Sequence, residues 1–70
     1  MSAKIRRLAD EVIETIQEAE SCIEGIDNRM RRLEEQVAGD NAFHFRAAER
    51  LIGTSKSALE EATQWLEEIK

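Results

Sequence analysis

The residues that could carry out covalent catalysis are few, because the chain has one cysteine, Cys22, and one histidine, His44. A thiol and an imidazole act as a nucleophile–base pair only within hydrogen-bonding distance of each other. In a hairpin that folds back near Asp40, these two would lie at opposite ends of the second half of the first helix. Phosphate-binding loops, nucleophile elbows and zinc-protease signatures do not occur in the sequence either. We therefore expect a protein that is not an enzyme.

Metal binding has equally little support in the sequence. One Cys and one His cannot complete a four-ligand zinc site, and the Glu-x-x-His pairs of di-iron helical bundles are missing. The carboxylates of Glu11, Glu14 and Glu18 are spaced so that they point away from the apolar stripe of their helix. We predict no metal and no cofactor. Cys22 cannot form an internal disulfide but could cross-link two copies of the chain.

Arginines are concentrated near the predicted loop, which would make that end of the molecule locally basic. They are Arg29, Arg31, Arg32, Arg46 and Arg50. Such a cluster could bind a phosphate backbone or an acidic partner protein. However, the whole chain carries a net charge of −5, from 15 acidic and 10 basic residues, and an acidic body opposes the approach of nucleic acid. We expect most of these charges to form a solvated surface.

Two long helices must position all of these residues, because apolar residues recur every three or four positions, as they do on one side of a helix. In the first helix the stripe consists of Ile5, Leu8, Val12, Ile16, Ala19, Ile23, Ile26, Met30, Leu33 and Val37. In the second helix it consists of Phe45, Ala48, Ile52, Ser55, Leu59, Ala62, Leu66 and Ile69. The fold class is therefore all-α.

The stripe is interrupted only at residues 39–41, where Gly39 can close a helix in the left-handed conformation. We predict a single helical domain over residues 1–70, with a helix over about 3–38, a turn at 39–41 and a second helix over 42–69. The alternative is a three-helix bundle with a break at Gly53, because Ser57 and Glu60 have the spacing of a capping box.

An antiparallel hairpin folded at Asp40 pairs residues whose numbers add to about 78 to 80. This register sets Val12 against Leu66 and Ala19 against Leu59, so that large and small residues alternate across the seam. The turn was placed from residues 39–41 alone, so this pairing of large with small residues is independent support for two stripes that interdigitate.

A further apolar line runs beside the seam, and two helices cannot cover both. We predict that it binds a partner through Leu51, Ala58 and Trp65 on the second helix and through Ile13 and Cys22 on the first, which Ala9 also widens. The partner would be a second copy, which gives a four-helix bundle and a homodimer, or a helical client protein. Trp65 is the expected anchor, because large aromatic residues commonly dominate interfaces.

The composition, 41% apolar with a mean hydropathy of −0.53, suits a folded domain without a membrane span, and we expect a cytoplasmic location. In architecture the chain resembles a small plasmid RNA-binding regulator built from helical hairpins, and the hairpin co-chaperones of secretion-needle subunits. This resemblance covers shape only and transfers no functional residue. We expect an adaptor or co-chaperone-like interaction module; the alternative is a small regulator of nucleic acid or of a nucleic-acid-binding protein.

Overall fold

The computed structural model describes residues 3–69, which form two helices, α1 (Ala3–Glu34) and α2 (Asp40–Ile69). The helices pack against each other as an antiparallel hairpin 55 Å long, as predicted, and no strand occurs within this range. The alternative three-helix bundle is wrong, because α2 continues without a break through Gly53. Neither helix, over the residues described, is both long and apolar enough to cross a membrane.

Helix α1 ends at Glu34, earlier than the predicted end near residue 38. The amide of Gln36 donates a hydrogen bond to the carbonyl oxygen of Leu33 (2.9 Å), a short-range bond that tightens and ends the helix. Residues 35–39 then cross to α2 outside any helix. The prediction was wrong here because Val37 keeps the apolar spacing of the helix while it lies half-buried in the connection.

Gly39 makes the reversal possible, since its φ of 60° lies in the left-handed region that favours glycine. Its carbonyl oxygen accepts a hydrogen bond from the amide of Ala42 (3.0 Å) in the first turn of α2. Asp40 begins that helix, and Arg31 and Arg32 lie in the last turn of α1. Each charge is favourable at its helix end because of the helix dipole.

The register of the hairpin is visible in a groove between the two helices near the loop. The groove is lined by residues between Asp27 and Glu34 of α1 and between Phe45 and Ile52 of α2. In an antiparallel pair the ends of these two spans correspond, and their numbers add to 79, which agrees with the predicted range of 78 to 80. The two helices are therefore aligned as the sequence pattern indicates.

The hairpin core is small. Among the described residues, only Ala9, Ile13 and Phe45 are buried, with 6–7% of their surface exposed. The remaining contact line of α1 is half-buried and comprises Ile16, Glu20, Ile23, Asp27 and Met30. The facing half-buried line of α2 comprises Ile52, Lys56, Leu59, Thr63 and Leu66. Charged residues thus interrupt the contact between the helices on both sides.

The stripe predicted for α1 is divided in the structure between the core and the surface. Leu8 and Val12, which were assigned to the seam, are 46% and 48% exposed, whereas Ile13, assigned to a partner surface, is buried against α2. The apolar arc of α1 is wider than one helix contact, and hydrophobicity alone could not decide which edge of the arc faces α2. The small side chain of Ala9 lies at the buried edge and lets the two backbones approach.

Candidate protein-interaction surface

Large apolar side chains remain exposed along the whole hairpin. Over the described part of the chain they are Ile5, Leu8, Val12, Ile26, Leu33, Phe43, Leu51, Trp65 and Ile69. Single exposed apolar residues are ordinary on a protein surface, so the arrangement of these residues matters more than their number.

Most of these residues belong to two lines with alternating steps of three and four residues, except that the α1 line has one step of seven, from Ile26 to Leu33, where Arg29 has the intermediate spacing. We define the α1 stripe as Ile5, Leu8, Val12, Thr15, Ala19, Cys22, Ile26 and Leu33. We define the α2 stripe as Ala48, Leu51, Ser55, Ala58, Ala62, Trp65 and Ile69. An apolar line with this spacing is typical of a helix that packs against other helices in a bundle.

Both stripes lie on the same side of the hairpin. Successive residues of a helix are about 100° apart, so each stripe lies roughly 90–110° around its helix from the line that faces the other helix. Because the helices are antiparallel, these two rotations lead to the same side. A groove near the loop shows this directly, since it is lined by Leu33 and Val37 together with His44 and Ala48. We call this side the apolar face.

The opposite side of the hairpin, which we call the polar face, has a different character. Its groove near the loop is lined by Asp27, Arg31, Glu34 and Glu49 beside core side chains. Arg46 forms an ion pair with Glu49 at 3.8 Å, although both side chains are exposed and such pairs contribute little to stability. The hairpin is therefore amphipathic as a unit.

The two hydroxyl residues within the stripes satisfy their own hydrogen bonds. Thr15 donates its hydroxyl proton to the carbonyl oxygen of Glu11 (3.1 Å), and Ser55 donates to the carbonyl oxygen of Leu51 (3.0 Å). A hydroxyl bonded to its own helix can be covered by a partner without leaving an unsatisfied donor. Thr15 and Ser55 are thus compatible with a dry interface.

Four of the five residues predicted to contact a partner are exposed and lie on the apolar face. Leu51 and Trp65 are 61% and 69% exposed, and Ala58 and Cys22 are also exposed. Ile13 is the exception, because it is buried within the hairpin and is not available to a partner.

Sequence reasoning found only part of the contribution of α1 to this surface, since it placed Cys22 there but not the large aliphatic residues. Ile5, Leu8, Val12, Ile26 and Leu33 had been placed in the core, but they are 43–48% exposed. The signal that could have found them is the regular spacing of the α1 stripe, which forms a second line beside Ala9 and Ile13.

The arginines do not form one basic patch. All five are exposed, namely Arg29, Arg31, Arg32, Arg46 and Arg50. Arg46 and Arg50 line one groove, whereas Arg31 lines another. Residues 25–54 contain five acidic and five basic residues, so the loop half is formally neutral rather than basic. The remaining ten acidic and five basic residues give the open half the whole net charge of −5. This distribution does not favour the nucleic-acid alternative.

The chemically reactive side chains are on the surface. Cys22 is a free, exposed thiol, and His44 is exposed beside Phe43, with the two rings edge to face at 5.9 Å. Phe45, the first residue of the stripe predicted for the second helix, is buried at the loop end. No three residues of the metal-ligating types come together within residues 3–69.

The comparisons with known proteins give no indication of function. No protein-family model, curated protein or solved structure matches the chain. The geometry of the apolar face is therefore the starting point for assigning a function.

Proposed function

We propose that this protein is a non-enzymatic protein–protein interaction module, an adaptor or co-chaperone-like hairpin whose apolar face packs against helices. The partner helices come from a second copy or from a client protein. One observation carries the proposal: two apolar stripes lie side by side on the same face, while only three described residues are buried in the hairpin itself.

The energetics support association. Complete burial of a Leu, Ile or Val side chain contributes about 1.5–3 kcal/mol, so half-exposed side chains still have roughly half of that to gain. The exposed stripe residues Ile5, Leu8, Val12, Ile26 and Leu33, with Leu51, Trp65 and Ile69, can together offset an association cost on the order of 4–15 kcal/mol. The polar face offers no comparable gain.

The stripe spacing supports a helical partner. Steps of three and four residues place the side chains of each stripe along nearly straight lines, and the shallow groove between the two lines accepts a helix lying along the hairpin. An extended peptide would need exposed strand edges, and the described chain has none.

The experiment compares two neighbouring alanine substitutions. Trp65→Ala removes an exposed aromatic residue from the apolar face, and Gln64→Ala makes the same change one position earlier, on the polar face. Analytical ultracentrifugation measures the mass of the purified chain and of each variant, and so reports self-association. If the mass equals one chain, titration calorimetry with a partner purified from cell extract measures the affinity instead. Trp65→Ala should weaken association by at least about tenfold, and Gln64→Ala by less than about twofold.

Circular dichroism is the control, because both variants should keep the helicity of the parent chain. Two results together would contradict the proposal. The chain would remain monomeric at high concentration, and its helical partners would bind both variants equally.

A further inference from the structure

We propose that the apolar face is covered by a second copy of this chain, placed face to face with the loops at opposite ends of the dimer. This inference rests on the proposed function and names the partner. The two-fold axis would cross the interface at the level of Ala19, so that α1 lies on α1 of the second copy and α2 lies on α2. The result is a four-helix bundle in which neighbouring helices are antiparallel.

The α1 stripe is complementary to itself about this axis. A two-fold axis at Ala19 pairs residues of the two copies whose numbers add to about 38, given equal helical rise in both. Ile5 then meets Leu33 of the second copy, and Val12 meets Ile26 of the second copy. Ala19 meets its own equivalent, and its small side chain allows the two helices to approach closely at the axis.

The same axis also determines how the α2 stripes of the two copies pair. The hairpin register places residue 60 of α2 at the level of Ala19, so residues of α2 pair when their numbers add to about 120. Leu51 then meets Ile69 of the second copy. Trp65, the largest exposed side chain of the face, lies over Ser55 of the second copy, whose hydroxyl is already bonded to its own helix.

Charge distribution favours this orientation over a dimer with both loops at the same end. Divided at the level of the axis, residues 20–59 carry a net charge of −1 and the remaining residues −4. With loops at opposite ends, each acidic open half lies against a nearly neutral loop half. With loops together, the two open halves would lie against each other and repel. At the edge of the α1 stripe, Glu11 comes level with Arg29 of the second copy, within about 3 Å along the helix axis.

Coverage of the α1 stripe favours the same orientation, although Ala48 at the loop end of α2 has no partner in it, since residue 72 would lie beyond the end of α2. In a dimer with the loops together, α1 would pack on α2 of the second copy, and the partner of Ile5 would fall beyond the end of α2 at Ile69. Ile5 is 46% exposed and would stay so. The opposite orientation covers Ile5 with Leu33. The hairpin is 55 Å long and 16 Å wide, so one of its broad sides is large enough for the roughly 800 Å² per partner of a standard interface.

A cross-linking experiment tests the orientation. In the full-length chain with Cys22→Ser, the substitution Ala19→Cys should give a disulfide-linked dimer under mild oxidation. The two Ala19 positions face each other across the axis, whereas with loops together they would lie at diagonal corners of the bundle, about 12 Å or more apart. Ser21→Cys in the same background is the control, and it should remain uncross-linked because Ser21 lies outside the α1 stripe.

The parent chain gives a second measurement. Its two Cys22 residues would be about 9 Å apart along the helix axis, beyond the reach of an unstrained disulfide, so the parent should cross-link at least about tenfold more slowly than the Ala19→Cys variant. A dimeric mass without rapid Ala19→Cys cross-linking would overturn the orientation and leave the proposed function standing. A monomeric mass that persists at high concentration would overturn the pairing of two copies. The proposed function would then stand if a helical client protein binds the apolar face, and fall if none does.

Discussion

The two long faces of the hairpin are built from the same helices but differ in what they can do. The apolar face carries Leu8, Val12 and Ile26 from α1 beside Leu51 and Trp65 from α2, all exposed. The polar face carries a mixture of acidic and basic side chains around its groove. Water solvates the second face well and the first one poorly. This difference teaches that a large part of the apolar content lies outside the core of the hairpin.

The contact between α1 and α2 is itself more polar than the apolar face. Glu20 and Asp27 on α1 and Lys56 on α2 are half-buried within the contact lines, whereas Arg29 is the one charged residue at the spacing of the α1 stripe, and it is exposed. A chain of 70 residues buries only about 60% of its unfolded surface even in favourable cases. The proposed association would supply further burial, and we therefore expect unfolding to depend on protein concentration.

The largest effect is expected from charges that break the apolar face. Val12→Glu or Ile26→Lys alone would place an unpaired charge in the interface and should weaken dimerisation by about 100-fold or more. In the proposed dimer these two positions meet across the interface, so the double variant should bind at least about tenfold better than the weaker single variant. Sedimentation equilibrium of the three variants measures this.

The same pair of charges on the polar face provides the control. Gln17→Glu and Glu24→Lys lie outside both stripes on exposed positions of α1 and should change dimerisation by less than about threefold. No recovery in the double variant of the apolar face would mean that Val12 and Ile26 do not meet between copies. The face could still bind, but in another orientation.

A smaller effect on stability is expected from alanine substitutions at two adjacent residues, one in the core and one on the apolar face. Ile13 is 7% exposed and Val12 is 48% exposed. Ile13→Ala should destabilise the hairpin by about 2–4 kcal/mol, because it removes buried methyl groups and leaves a cavity. Urea unfolding followed by circular dichroism should show this loss at both high and low protein concentration.

Val12→Ala should lower stability mainly at high concentration, where the dimer forms, since its side chain is buried only by the second copy. Equal losses for both variants at every concentration would mean that Val12 belongs to the hairpin core, contrary to the comparison between the two regions.

The sequence predicted the two helices and the register, and it placed the reversal near Gly39. The connection spans residues 35–39, whereas Asp40 and Asn41, which were predicted in the turn, belong to α2. Gly39 lacks the Cβ that would be strained at its φ of 60°. The register follows from the place of the turn rather than from the pairing of large with small residues, because Val12, one member of the predicted pairs, is exposed. The continuity of α2 through Gly53 also follows from an apolar spacing that does not change phase there.

The assignment of individual residues to core or surface was less successful. Ile13 and Val12 are adjacent in sequence and similar in hydrophobicity, and the width of the apolar arc leaves the rotation of α1 undetermined. Glu20 and Asp27 were not predicted in the contact line, because complete burial of an acidic side chain is unfavourable. Both are only half-buried there, so that the carboxylate can still reach water. Tertiary packing decides such cases.

The connection between the helices should affect both faces equally. Gly39→Ala places a Cβ at a φ of 60° and should destabilise the hairpin by about 1–2 kcal/mol. Gly39→Asn should cost less, because asparagine tolerates this conformation better. Thermal unfolding of both variants measures the difference. If alanine costs no more than asparagine at this position, the left-handed conformation is not what determines the reversal.

The smallest effect concerns Gly53, which lies within α2 on the polar side with open space around its Cα. Gly53→Ala should stabilise the helix by about 0.5–1 kcal/mol, since alanine loses less backbone entropy on folding and no neighbouring atom would contact its methyl group. Gly25→Ala is the matched control in α1, where the space is equally open. Because neither glycine lies in a stripe, both variants should raise the unfolding temperature and leave the dimerisation constant unchanged. A Gly53→Ala variant that is more helical but associates less well would show that α2 bends at Gly53 when its apolar face is covered, so that the straight helix is not the form that binds.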